Sequence, residues 1–400
     1  MSTSLNHTPS LLGAFLKSFC PLFPRKILNR MEVCFLPSAW TTTPTADALR
    51  ASWSKHRVAF VKQAVYNDLY SCPCLSSGPE VVRSSLLRTG PMGFLIDLKA
   101  DFWMVHEDLS RECRTWEESP GSNPMTTHAV LRRMRQAQDE IPLSGIWGHQ
   151  HSPASLAVSI DSIPWGDYKV VVSLDIAVSR YIRNQYPQIL WVYFPADPGT
   201  PTSKSARSTP PNGFDVALTH MHRRFPVRPN LGSRTIECPY SFQSPFSWKS
   251  TWAHSPERSG VMVEGKTYGK LTPDQLASLT RFGPVRRPQG SVSEMAHELL
   301  SSRYYLSLYG HPLTGNGQIE AIMAGCLSIG DPETYVQRSL YTPVTVVPDF
   351  TSSLHRIEEF ERNPNLREQS RQEQQAIAEY ICFRRPAYQL LTFLKKKRSP

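Results

Sequence analysis

The chain has 400 residues, 40% of them apolar and 20% charged, with a formal net charge of +10. That balance excludes a disordered or collagen-like chain, and the length exceeds what one compact core usually holds, so two domains are expected. The positive charge is scattered in short groups (Arg132-Arg133, Arg223-Arg224, Arg286-Arg287, Arg384-Arg385, Lys395 to Arg398) rather than gathered into one stripe, which favours small phosphorylated ligands; no nucleic-acid partner is expected.

Residues 1–30 read as a leader to the fold. Their apolar stretch at 11–19 is interrupted by Lys17, too short for a membrane span, and lacks the flanks of a signal peptide. Strand signals follow at 31–36, 58–61 and 93–97. Val130, Met134 and Ala137 give residues 127–137 the spacing of an amphipathic helix. The clearest strand of the first half is 168–175, β-branched and almost entirely apolar, as a strand buried on both faces should be. A helix over 176–185 and strands at 189–194 and 214–218 continue the rhythm, with a long Pro/Ser/Gly loop at 197–213 carrying Lys204 and Arg207. Alternating strand and helix at this spacing predicts a parallel sheet with crossover helices.

A boundary falls near 239–249, where Ser, Phe and Pro crowd without periodicity. Beyond it come a strand at 261–263, a capping box of Ser291 and Glu294 opening a helix through Leu300, and a strand at 304–309. A glycine-bearing turn, a helix at 318–324 and a strand at 326–329 complete this unit. Helices dominate from Ser352, with a break expected at Pro386. The expected domains are 31–245, 246–370, and a C-terminal helical segment with a basic tail over 371–400.

Cysteine usage points to a reducing, cytoplasmic setting. Cys72 and Cys74 have no second pair to make a zinc framework, and Cys34, Cys326 and Cys382 read as buried small hydrophobes. No metal site and no cofactor are expected.

The informative stretch runs from Tyr304 to Cys326. A strand ends, and a turn with Gly315 and Gly317 feeds the first turn of a helix. Free backbone N–H groups and the helix dipole there suit an anion, and the glycines let a diphosphate approach the backbone. Asn316, between the two glycines, and Gln318, at the start of the helix, join them as candidates for binding the nucleotide-sugar. Glu320 lies about one turn in, in reach of a ribose; Ile319, Ile322 and Met323 should face the sheet, and Gly325 should cap the helix. A second feature is Glu264-Gly265-Lys266-Thr267-Tyr268-Gly269-Lys270, which places two lysines just after a strand; the alternative is two solvated lysines.

The segment Glu320-Ala321-Ile322-Met323-Ala324-Gly325 resembles the sugar-nucleotide-binding element of GT-B glycosyltransferases, including exostosin-like and fucosyltransferase-like enzymes, whose preceding Ser-Lys-Phe/Tyr strand has its counterpart in Ser302-Arg303-Tyr304-Tyr305. The close likeness covers about 30 residues, with a looser one over 250–400. It implies two Rossmann-like domains facing across a cleft, Glu320 on the nucleotide's ribose, and Lys266 and Lys270 on the donor diphosphate. Many retaining members carry a second glutamate eight positions earlier, where this chain has Pro312, so the likeness does not imply retention of configuration.

In the first half His149, within Gly148-His149-Gln150-His151, and Asp175, ending the 168–175 strand, are the candidates for deprotonating an acceptor hydroxyl. A polar loop and a helix cap are their respective alternatives; Asp97, ending the 93–97 strand, is a weaker third candidate. The chain lacks an Asp-x-Asp beside a strand end, which disfavours metal-dependent GT-A chemistry. It also lacks Walker A, Gly-x-Gly-x-x-Gly and Gly-x-Ser-x-Gly motifs. The expected activity is therefore metal-independent transfer of a sugar from a nucleotide-sugar to a glycan, lipid or protein acceptor, with membrane contact available to the basic C-terminus. Two alternatives stand: a GT-B-like sugar-nucleotide epimerase or inactive homologue, and a basic polyanion-binding protein.

Overall fold

A computed structural model describes residues 43–63, 92–105, 155–158, 160–174, 178–194, 213–219, 234–239, 257–287, 292–309, 316–331 and 340–398. Within them the chain builds two separate parallel sheets. The first contains β1 (Val58–Gln63), β2 (Asp101–Val105), β3 (Ser155–Val158), β4 (Val170–Leu174), β5 (Leu190–Phe194), β6 (Val216–Thr219) and β7 (Thr235–Glu237), in the order β3-β2-β1-β4-β5-β6-β7. This is the Rossmann-like arrangement, with the chain reversing direction between β1 and β4. The second sheet holds β8 (Val261–Val263), β9 (Val285–Arg286), β10 (Tyr304–Ser307) and β11 (Leu327–Gly330), in the order β11-β10-β8-β9.

β4 sits at the centre of the first sheet, and all five of its residues are buried. Its alternate residues feed two different clusters. Val170, Val172 and Leu174 face one side with Val58, Phe60 and Val192; Val171 faces the other with Ala59, Val61 and Trp191. A strand covered on both faces is apolar at nearly every position, which is why the run 168–175 is so legible; the one polar residue of β4, Ser173, accepts a hydrogen bond from Val178 N–H.

The helices are α1 (Ala46–Trp53), α2 (Met92–Asp97), α3 (Arg180–Gln185), α4 (Gly265–Tyr268), α5 (Pro273–Leu279), α6 (Val292–Ser301), α7 (Asn316–Ala324), α8 (Phe350–Arg362), α9 (Pro364–Glu379) and α10 (Arg385–Arg398). Residues 93–97, expected as a strand, form α2 instead. Phe94, Leu95 and Leu98 are buried together, Leu98 N–H donates to Phe94 O, and the turn closes at Lys99 with φ of 55°. A five-residue apolar run fits either period, and here the helical one wins because the strand starts later, at Asp101. The readings at 31–36 and 127–137, the 197–212 part of the long loop, and the side chains of the Ser291/Glu294 capping box lie outside the described residues.

Pro386 does not break the helix. Between α9 and α10 the chain makes a π turn, Tyr380–Arg384, and Arg385 N–H reaches back to Tyr380 O. Pro386 then falls in the first turn of α10, where its missing N–H is tolerated. The widened turn is also the place where the helix passes from one sheet's core to the other's. Tyr380, Ile381 and Cys382 pack with α7 beside the second sheet, whereas Phe383, Ala387, Leu390 and Leu394 pack under the first.

Polar contacts hold this crossing. Trp53 Nε1–H donates to Ala387 O at 3.2 Å, Arg384 donates to Thr43 O at 2.7 Å, and Arg385 pairs with Glu237 at 3.3 Å, both side chains buried. Lys397, in the basic tail, pairs with Asp215. Among the described residues no helix is long and apolar enough to cross a membrane.

Candidate functional site

In the second sheet the chain goes from β8 outward to β9, then returns to place β10 on the other side of β8. The carboxyl ends of β8 and β10 therefore flank a switch point, where open parallel sheets hold their ligands. β8 is entirely apolar and buried, so the first residues able to do chemistry come directly after it, in Glu264 and the single turn of α4.

One threonine joins the two strand ends. Thr267 is fully buried, and its backbone N–H and hydroxyl both donate to Glu264 Oε2, at 2.8 and 3.0 Å. The same hydroxyl oxygen accepts from Leu308 N–H at 2.9 Å and Tyr309 N–H at 3.1 Å, just past the end of β10. Glu264 N–H in turn donates to Leu306 O at 2.9 Å. The two backbone turns are thus fixed relative to each other by side-chain bonds that leave the lysines outside.

Lys266 and Lys270 are exposed on this rim. Lys270 Nζ lies 4.9 Å from the ring centre of Tyr309, an aromatic that remains 36% exposed. A cation over an aromatic face keeps its charge while losing some freedom of motion. Neither lysine has a carboxylate partner among the described residues.

Helix α7 is the third wall. Gly317 is demanded by packing: a Cβ there would come 2.8 Å from the Tyr305 hydroxyl on β10. Ile319, Ile322 and Met323 are buried, as their spacing predicts. Gly325 ends the helix with φ of 97°, a left-handed cap that leads straight into β11. Gln318 is buried and donates to Ser328 Oγ at 3.3 Å, next to Gln374, whose amide bonds both the N–H and the C=O of Ser328 at 2.8 Å.

Glu320 is also fully buried. Its helix neighbours Ile319, Ala321 and Ile322 pack with Tyr380, Ile381 and Cys382 of the π turn, and burial first and then the charge of Glu320 raise the Cys382 thiol well above its usual value. The chain thus sets Lys266, Lys270, Gly317, Gln318 and Glu320 on the elements around one sheet edge. Asn316 begins α7. Gly315, His149 and Asp175 lie outside the described residues. Asp97 is on α2 rather than at a strand end, with Arg50 3.7 Å away.

Two residues of this region carried no sequence signal. Thr267 sits between two lysines that draw the eye, and only the tertiary pairing of β8 with β10 gives it a partner. Arg258 lies outside any motif. Its guanidinium donates to Leu299 O at 3.3 Å and Ser302 O at 3.0 Å, and also to Ala324 O, so one half-buried arginine closes the carbonyl ends of α6 and α7.

No protein-family model matches the chain, and no curated protein matches it. Solved structures overlap it loosely over most of its length. Sucrose-phosphate synthase from Thermosynechococcus elongatus is 12% identical, with 85% of this chain and 99% of that one covered at a TM-score of 0.40. T4 phage β-glucosyltransferase is 9% identical, with 86% and 100% covered at 0.37. The glycotransferase of kitacinnamycin is 11% identical, with 85% and 98% covered at 0.33.

Proposed function

We propose that this protein is a GT-B-type glycosyltransferase that moves a sugar from a nucleotide-sugar to an acceptor hydroxyl without a metal ion. The observation that carries the reading is the carboxyl edge of the second sheet. There, at the switch between β8 and β10, Lys266 and Lys270 and the first turn of α7 surround strand ends fixed by Thr267. The resemblance of the Glu320 to Gly325 segment to sugar-nucleotide-binding elements points to the same place.

The chemistry asked of such a site is modest. Breaking the bond between the sugar and the diphosphate leaves negative charge on the departing phosphate oxygens. Two lysines and the backbone N–H groups of the first turn of α7 meet that charge where it develops. An acceptor hydroxyl must lose a proton as it attacks. His149 or Asp175, in the first domain, takes that proton in this proposal. The stereochemical course is left to the acceptor side of the site.

The polyanion-binding alternative needs a continuous face of free cations. In the structure Arg57, Arg286, Arg303, Arg385 and Lys397 are each ion-paired, which supports a localised ligand site instead.

The test is release of nucleoside diphosphate from a panel of nucleotide-sugars, with water or supplied glycosides as acceptor. One donor should be consumed, and the Lys266→Ala/Lys270→Ala variant should lose roughly 100-fold in kcat/KM. Failure of every donor to turn over would contradict the proposal.

A further inference from the structure

β11 is the outermost strand of the second sheet, and the group that closes its open side also reaches the candidate site. Leu327 N–H donates to Arg303 O and so joins β11 to its neighbour β10. Ser328, next along, gives its backbone N–H and C=O to the other side, where an outermost strand has no partner strand. Gln374 of α9 meets both groups. Its Oε1 accepts from Ser328 N–H and its Nε2 donates to Ser328 O, each at 2.8 Å, so one carboxamide stands in for the missing strand. Nε2 also donates to Thr345 Oγ1 at 3.2 Å, and Thr345 O accepts from Gly330 N–H at 3.1 Å along the same side.

The side chain of Ser328 carries the contact one step further. Its Oγ accepts from Gln318 Nε2 at 3.3 Å, and Gln318 lies in the first turn of α7. Gln374, Ser328 and Gln318 are all fully buried, where such bonds are electrostatically strong. α9 and α7 also pack directly, Ile377 and Ala378 with Ile319 and Ile322. Apolar contacts of that kind have no preferred direction, whereas hydrogen bonds do. The chain from Gln374 through Ser328 to Gln318 therefore sets how α7 is turned about its axis, and with it where the N–H groups of its first turn point.

We infer that Gln374 is a positioning residue of the donor site, holding the first turn of α7 in its receiving orientation by way of Ser328 and Gln318. The inference rests on the reading of that turn as part of a nucleotide-sugar site. The experiment compares wild type, Gln374→Met, Ser328→Ala and the double variant. Gln374→Met keeps the length of the side chain without its bonds. Ser328→Ala leaves Gln374 on the backbone and cuts the chain at its middle. UDP, GDP, ADP, CDP and dTDP are titrated into each full-length protein at a temperature where all four are folded. Hydrogen exchange is followed across residues 316–324 without nucleotide.

Each single variant should bind the nucleotide that wild type prefers about fivefold more weakly, and exchange across 316–324 should quicken. The double variant should also be weakened about fivefold, because a chain cut once transmits nothing more. A merely structural Gln374 would lower stability and leave affinity alone. Unchanged affinity or unchanged exchange in Gln374→Met would overturn the inference, as would a double variant weakened by the product of the two single losses. If Gln374→Met does not fold, equal affinity in Ser328→Ala and wild type overturns it. A wild type that binds none of the five nucleotides would remove the donor reading, and the inference with it.

Discussion

Thr267 does the work of several residues with one hydroxyl. It is itself fully buried, donates to Glu264 and accepts from two consecutive backbone N–H groups. Replacing it by valine keeps the shape but leaves Glu264 and both N–H groups short of a partner. Thr267→Val should therefore cost about 1–3 kcal/mol in urea unfolding, while Thr267→Ser, which retains the oxygen, should cost under about 1 kcal/mol. Equal losses in the two variants would mean that the methyl group, not the hydroxyl, matters. At this scale the sequence was legible only where a residue type announces its own chemistry, as the lysines and glycines do. Thr267 and Arg258 act through partners more than 40 positions away, and no local pattern encodes such a pairing.

The elements were legible where both faces of a strand are buried. β5 and β8 are solid apolar runs and β4 is apolar but for Ser173, and the sequence marks them plainly. β3 and β7, the two outermost strands of the first sheet, escaped notice because they are short, and β2 because it opens on Asp101. Phe94 and Leu95 misled because a brief apolar run does not declare its period.

A network on the opposite edge of the second sheet shows how elements are tied together. Glu361, in the last turn of α8, accepts from Arg303 at 3.0 and 2.8 Å, from Arg367 of α9 at 3.1 Å, and from the Tyr304 hydroxyl on β10. Burial alone would raise its pKa, but the bonds from Tyr304 and Arg303 outweigh it and hold the carboxyl below its ordinary value of 4.5. A carboxylate depressed in the folded state adds stability that is present above its unfolded pKa and fades as pH falls through the folded one. Thermal midpoints should therefore drop as pH is lowered from 6 through the range below 4.5. Glu361→Gln, less stable at neutral pH, should show a shallower acid-side drop; an unchanged slope would place the acid sensitivity elsewhere.

Across the whole molecule, the feature that unites the two sheets is the helix running from α9 through the π turn into α10. Its first half completes the core around α7 and its second half the core under β4 to β7. Arg385 crosses at that junction and meets Glu237 at the end of β7, with both side chains under one-tenth exposed. Arg385→Met should destabilise the protein by about 3 kcal/mol, because Glu237 keeps its burial but loses its cation. Adding Glu237→Gln should recover part of that loss, which denaturant melts of the single and double variants would measure. No recovery would show that Arg385 acts through other contacts. The exchange of an expected break at Pro386 for a π turn belongs to this scale too: the proline was visible in the sequence, but only the need to serve two cores shows why the helix continues.

The central claim is that the carboxyl edge of the second sheet binds a nucleoside diphosphate. Thermal unfolding of wild type and Lys266→Ala/Lys270→Ala against a panel of nucleoside diphosphates tests it most directly. At 100 times its Kd a bound ligand adds about 2.7 kcal/mol of stability. One nucleotide should raise the wild-type midpoint and leave the variant's unmoved. A panel that shifts neither protein, or shifts both equally, would contradict the assignment of this edge as the donor site.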